Sequence, residues 1–400
     1  MVRRERADLV VVGAGTIGGW AATFAREDGI GRVVVLERGL AGGGASSRAA
    51  GIVRAQGGTP ATVALGRWTI DFYHGQAARY GTDSGFRELG YLILAITAED
   101  ERDGRARVAM QRGVGLDVRW LSPAEACAEV PTLAAEGHRG GSFISTDGAI
   151  DPPRNVLAYS LAMRQMGVEL RERTAFTGLR LDRGRVVGVE TSAGSIETER
   201  VLLTGGPTLR EVGRIAGVRI PAGAVRHQIA VTESHPAFDV ARQPMVFDLA
   251  RGLYWRLDDG GLLFGMSNPD EPPGPATEID WPYLRRMRRR LDRFVPAARG
   301  LGLRRAWAAT IDFTPDHLPI LGPGLDPSGA PIAGLWVASP GGHGMMWGPG
   351  VSRVAADLVA TGRTDLVDLT DLGLDRFDVD GRSRVPPDAI ALPFPGRPTD

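Results

Sequence analysis

Gly13-Ala14-Gly15-Thr16-Ile17-Gly18, followed 19 residues after Gly18 by Glu37, has the residue types and spacing to hold a dinucleotide. The first glycine permits a tight turn, the second lets backbone N–H groups approach a pyrophosphate, and the third lets a helix pack closely on a strand. A helix opening here adds its positive end to the attraction for negative charge. Glu37 is placed to accept hydrogen bonds from a ribose, and its charge disfavours a 2′-phosphate, which leaves NAD and FAD as candidates. The motif alone does not choose between them. Outside a strand–turn–helix context the same glycines would be mere turn and packing residues.

The flanking sequence supplies that context. Residues 8–12 (DLVVV) are a short apolar run expected of a strand buried on both faces. Ile17, Ala21, Phe24 and Ala25 recur at helical spacing, Asp28-Gly29 closes the helix, and residues 32–37 form a second strand. This is a β-α-β unit with a right-handed crossover. Residues 41–58 are rich in Gly, Ala and Ser with Arg48 and Arg54 embedded, which reads as a long ordered binding loop.

Further along, a helix is expected over residues 60–80, a strand over 91–96, a charged helical stretch over 99–131 starting again at Ser122-Pro123, and a helix over 155–166. Strands follow at 168–170, 174–181, 185–190 and 195–203. Residues 226–232, 245–249, 253–257 and 261–265 read as an antiparallel sheet, and an Arg-rich helix covers 282–294. A buried strand at 334–338, the SPGGHG stretch at 339–344 and a helix over 349–360 make a second strand–glycine–helix unit. The Pro-, Asp- and Arg-rich tail after Asp368 is expected to be loosely docked or extended.

Composition narrows the classes of function. The 400 residues suit two domains sharing a cleft. Forty-seven basic and 47 acidic residues cancel, which removes the electrostatic footprint of a nucleic-acid or membrane-surface binder. There is no Lys at all, so Schiff-base chemistry is excluded. One cysteine, Cys127, fits a reducing compartment, and the expected location is the cytoplasm. The basic start and apolar run of 9–25 are broken by Gly13, Gly15, Gly18 and Gly19, unlike a signal peptide, and no segment is expected to span a membrane. Six His and one Cys show no metal-ligand spacing.

Three blocks carry a more specific pattern: residues 42–54 (GGGASSRAAGIVR), 307–322 with Thr314-Pro315-Asp316-His317-Leu318-Pro319, and 334–350. Together they resemble the FAD-dependent oxidoreductases that include D-amino-acid oxidase, glycine oxidase and sarcosine oxidase, with most similarity to the sarcosine oxidase β subunit and L-proline dehydrogenase. The resemblance implies an α/β fold, a discontinuous Rossmann-type FAD-binding domain (residues 1–90, 145–222 and 308–368) and a second α+β domain built on an antiparallel sheet (91–144 and 223–307), with 369–400 as a tail. It implies FAD rather than NAD, and oxidation of an amine or amino acid by hydride transfer from the carbon next to nitrogen to flavin N5, giving an imine that hydrolyses. The flavin is expected to be non-covalent, since Ala309 and Arg48 stand where relatives attach it through Cys or His.

Cofactor contacts are expected from Gly13, Gly15, Thr16, Ile17, Gly18, Glu37 and Arg38 in the first unit. The loop adds Ala45, Ser46, Ser47, Arg48, Ala50 and Gly51, the middle of the chain adds Phe176, Thr204 and Gly205, and the last unit adds Gly341, Gly342, His343, Gly344 and Met345. Arg54 is expected to pair with a substrate carboxylate, and His343, as an alternative to a purely structural role, to act in catalysis. Tyr254 and Arg256 flank Trp255 on one strand, so they share a face, lining the substrate side or facing solvent. Trp307 and Trp347 either wall the pocket or fill the core. Ile311 replaces the carboxylate-binding Arg of glycine oxidase, which points to a secondary or N-alkyl amino acid. Leu263 and Met346 replace two Lys of monomeric sarcosine oxidase, which points to an electron acceptor other than oxygen, although oxygen stays open. A 2-hydroxy acid or polyol dehydrogenase, and a flavin-carrying subunit active only in a hetero-oligomer, remain alternatives, and a homo-oligomer is equally open.

Overall fold

The structure is a computed structural model and describes residues 5–390. Two large sheets organise it. The first is centred on four parallel strands in the order Val201–Leu203, Leu9–Val12, Val33–Leu36 and Glu169–Arg171, extended past Val201–Leu203 by the parallel strand Pro331–Ser339. Leu9–Val12 and Val33–Leu36 are buried along their whole length, as the uninterrupted valines require of strands covered on both faces. Helices Thr16–Glu27, Pro152–Gln165 and Gly344–Thr361 pack together with one face. A meander of Phe176–Asp182, Arg185–Thr191 and Gly194–Glu197 continues the sheet at one edge.

The second sheet has eight strands in the order Leu303–Phe313, Gly223–Thr232, Gly261–Ser267, Leu253–Asp258, Met245–Asp248, Tyr91–Leu94, Gly141–Ile144 and Arg119–Leu121. It is antiparallel except where Met245–Asp248 meets Tyr91–Leu94 in parallel. Alternation divides its side chains between two cores. Trp255, Phe264 and Val246 pack under helix Trp281–Phe294, whose Tyr283, Leu284, Met287, Leu291 and Phe294 form the buried stripe. Tyr254, Leu263, Ile229 and Phe247 face the other way, toward the first sheet.

The observed elements correct several expectations. The expected strand over 195–203 is two strands, because Thr198 Oγ1 donates to Arg200 O at 3.0 Å and turns the chain between them. The stretch 99–131 is two helices, Ala98–Gly113 and Pro123–Glu129, separated by strand Arg119–Leu121, with Ser122 capping the second. The last helix starts at Gly344 rather than 349, so Pro349 lies inside it. Pro349 has no N–H for the carbonyl of Met345, and the hydroxyl of Tyr73 donates to that carbonyl instead at 3.3 Å. Of the expected tail 369–400, residues 369–390 are docked, not loose, and residues 391–400 lie outside the described residues. Arg376 is buried and grips Asp316 with two hydrogen bonds of 2.7 and 3.0 Å. Helix Leu209–Ala216 and strands Leu303–Phe313 and Ile320–Leu325 were not anticipated. No described helix is long and apolar enough to cross a membrane.

Candidate active site

A cavity of about 3120 Å³ lies between the sheets, and the glycine turn opens into it. Gly13 has φ +104°, a conformation that a side chain would strain. Gly18 does not line the cavity. A Cβ there would sit 1.9 Å from the Gly13 carbonyl oxygen and 2.7 Å from Thr204 Oγ1, so its bareness lets helix Thr16–Glu27 come up to the turn. Thr204 Oγ1 donates to Val12 O at 2.8 Å and fixes the neighbouring strand end. Helix Thr16–Glu27 has no side-chain cap from Gly15. Ser46 reaches across, its Oγ accepting from Thr16 N at 3.0 Å, which brings the 44–47 turn to the helix start.

Glu37 lines the cavity. One of its oxygens accepts from Ala14 N at 3.0 Å and the other from Gly39 N at 2.8 Å. A carboxylate has about four acceptor positions, so two remain for a ribose. Arg38, Ala45, Arg48, Ala50, Gly51, Phe176 and Gly205 also line the cavity, as do Gly342, His343, Gly344 and Met345. Ser47 and Gly341 do not; Gly341 stands behind the wall, with φ +59° and its N–H on Ser339 Oγ at 3.2 Å. The guanidinium of Arg48 folds back on the carbonyls of Gly43 and Gly44, while its own carbonyl accepts the Trp307 indole N–H at 2.9 Å.

At the other end the cavity reaches the second sheet. Tyr254 lines it together with His227, a residue the sequence reading missed. His227 Nε2 is 2.6 Å from the Tyr254 hydroxyl and Nδ1 is 2.9 Å from Ser267 Oγ. Burial pushes His227 down to about 4, so the imidazole is neutral, and burial raises Tyr254. Asp312, also unanticipated, lines the cavity and accepts from Ser339 Oγ at 2.8 Å; burial pushes its carboxyl up. The available signal for His227 was a polar residue in phase with Ile229 and Val231, the apolar face of its strand.

Arg54, Arg256 and Trp347 do not line the cavity. Arg256 is buried and donates to Ala50 O at 3.3 and 3.2 Å, buttressing a wall residue. Arg54 is 2 % exposed; it donates to Gln56 O and, at 2.8 Å, to Ile390 O, and lies 5.9 Å from the Trp347 ring. His343 is buried with its ring centroid 4.3 Å from that of Trp347, and burial, then the charge of Arg54, hold it well below the ordinary histidine range. Neither arginine is a solvated surface residue. Among the described residues no group of three or more His, Cys, Asp or Glu is arranged to hold a metal ion.

A glycine cradle, a helix start with no cap from its own N-cap residue and an acceptor carboxylate, all on one cavity that continues to a second sheet, define a dinucleotide-dependent enzyme of two facing sheets. The chain belongs to the FAD dependent oxidoreductase family (DAO), whose model matches residues 8–358, and its cofactor is FAD. The cradle fits the adenosine diphosphate half, and the amide end of helix Gly344–Thr361, which has no side-chain cap, fits an electron-rich ring. Sarcosine oxidase subunit beta of Rhodobacter capsulatus is 29 % identical over 94 % of this chain and 89 % of its own. A 4-methylaminobutanoate oxidase (formaldehyde-forming) of Paenarthrobacter nicotinovorans is 30 % identical over 88 % of this chain, which spans only 43 % of that longer protein. Among solved structures, L-proline dehydrogenase from P. horikoshii superposes with a TM-score of 0.83 at 25 % identity, covering 91 % of this chain and 96 % of the other.

Proposed function

We propose that this oxidoreductase oxidises a secondary or N-alkyl amino acid. The observation that carries the reading is the continuity of the cavity from the Gly13–Ile17 cradle, past Gly342–Met345, to His227 and Tyr254 on the facing sheet. The relatives named above act on N-methylated or cyclic amines, which supports this substrate class. Bound FAD supplies the two-electron acceptor. The substrate loses a hydride from the carbon next to nitrogen and the N–H proton, and water hydrolyses the resulting imine to a carbonyl compound and an amine.

The chain's own residues orient the donor. Both nitrogens of neutral His227 are engaged, by Tyr254 and Ser267, so the Tyr254 hydroxyl is the group this pair offers a substrate nitrogen or carboxylate, and Arg54 supplies the cation that a carboxylate requires. The first-turn amides of Gly344 and Met345 provide fixed positive ends where negative charge develops. We assign residues 1–90, 145–222 and 308–368 to holding FAD and 91–144 with 223–307 to covering the substrate. The FAD is non-covalent, and acid precipitation should release it. With Leu263 and Met346 where cations would help oxygen, electrons pass to another acceptor. The likeness to an oxidase subunit favours a second reading, in which a partner chain completes the enzyme.

Anaerobic exposure of the flavin-loaded protein to a panel of secondary amino acids, primary amino acids and 2-hydroxy acids tests this. Bleaching is expected with the first class alone; bleaching only by hydroxy acids would overturn the amine reading. Rapid reoxidation by air would overturn the dehydrogenase assignment, and bleaching without any partner would remove the second reading.

A further inference from the structure

The most unexpected contact of the site is made by the tail. Asp388 and Ile390 are buried, whereas Pro386, Pro387 and Ala389 are exposed, so the segment is pegged down by two alternate side chains. Asp388 accepts from Gly58 N at 3.3 Å and Thr62 Oγ1 at 3.4 Å, and its own N–H donates to Asp316 O at 2.9 Å. Ile390 packs in the cluster of Ala50, Tyr91, Tyr254 and Leu263, of which Ala50 and Tyr254 line the cavity. Its carbonyl oxygen accepts from Arg54 Nη2 at 2.8 Å.

We propose that residues 386–390 form a displaceable strap: the Ile390 carbonyl occupies the Arg54 guanidinium, and a substrate carboxylate takes its place and expels the segment. The inference rests on the carboxylate-bearing substrate class of the preceding section. A neutral carbonyl offers a guanidinium one uncharged oxygen, whereas a carboxylate brings a full negative charge and two oxygens that can pair bidentately. Two pegs and a few hydrogen bonds make the segment a small unit, of the kind that opens without global unfolding. A second cation waits nearby. Arg107 on helix Ala98–Gly113 is buried with its Nε unpartnered, and burial, then repulsion by Arg54, push it below its ordinary range, while Asp388 opposes both. An incoming carboxylate would restore the negative charge that departing Asp388 removes.

The test is hydrogen exchange of the flavin-loaded protein with and without pyrrole-2-carboxylate, a cyclic carboxylate with no hydride to give. Exchange of the Asp388 and Ile390 amides should rise when the probe binds, and Asp388→Ala and Ile390→Gly should each bind it about tenfold more tightly, because less of the protein is held in the occluded form. Exchange that is unchanged or slower at saturation overturns the strap, as does wild-type affinity in both variants or binding to none of the three proteins. If amino acids nevertheless bleach the flavin, only the strap has failed; if none does, the substrate reading has failed first.

Discussion

The hydroxyl of Tyr254 and Nε2 of His227 lie 2.6 Å apart on next-but-one strands Leu253–Asp258 and Gly223–Thr232 of the sheet that faces the glycine turn. Strand Gly261–Ser267 runs between them, and its Gly265 makes the contact possible: a Cβ there would sit 2.3 Å from the Tyr254 oxygen.

The pair has a pH signature. His227 is depressed from 6.5 to about 4 by burial, so the unfolded chain binds more protons in between and stability rises with pH across that window. The contribution is complete above about pH 6.5 and is lost as pH falls toward 4, about 3 kcal/mol in all. His227→Asn should flatten the melting temperature over that range relative to wild type; parallel profiles would contradict the assignment. Tyr254→Phe leaves a buried ring nitrogen unpaired and should cost about 1–3 kcal/mol.

Gly18→Ala should empty the protein of flavin. Its Cβ meets backbone at 1.9 Å, so the helix must retreat from the turn. Affinity for FAD should fall at least about tenfold, roughly 1.4 kcal/mol or more, read by fluorescence titration of the apoprotein. Wild-type affinity would show that the helix start does not hold the diphosphate.

The Asp316–Arg376 pair ties the Thr314-Pro315-Asp316 block to the tail. Burial alone would raise Asp316, but the hydrogen bonds and charge of Arg376, with hydrogen bonds from Ser383 and the Leu318 backbone, together outweigh it and hold the carboxyl low. Arg376→Met strands a buried carboxylate and should cost about 3–5 kcal/mol in chemical denaturation, with much of the loss recovered in the Asp316→Asn, Arg376→Met double variant. Additive losses would mean that the two act separately.

Arg54→Met separates carboxylate recognition from chemistry. The KM of carboxylate-bearing amines should rise at least about thirtyfold, consistent with loss of a buried charge partner worth 2 kcal/mol or more. An uncharged amine should be nearly unaffected, and equal losses for both would return Arg54 to a structural role.

The first forty residues were legible because three independent patterns coincide there: an apolar run, a glycine turn and a 3.6-residue repeat. Helix Pro60–Tyr80 was expected with its observed bounds, and its ends are local: Thr59 caps the start before Pro60, and Gly81 closes it in the left-handed region. What escaped depends on partners distant in sequence. His227 is defined by Tyr254 and Ser267, and Asp312 by Ser339, pairings that only strand register creates. The tail looked unstructured because its Arg and Asp suggest solvent, yet Arg376 is buried by its pairing with a residue 60 positions earlier. Pro349 looked like a helix start, since its missing N–H is made good by Tyr73, which nothing local reveals.

The central claim is that the cavity behind Gly13–Ile17 holds FAD and that an amine reduces it. Anaerobic titration of the purified protein with a secondary amino acid, followed by its visible absorption, tests both halves at once. A flavin spectrum, one FAD per chain, that bleaches in a two-electron step is the expected result. A colourless protein that takes up no FAD on reconstitution, or bound flavin that no amine in the panel bleaches, would contradict it.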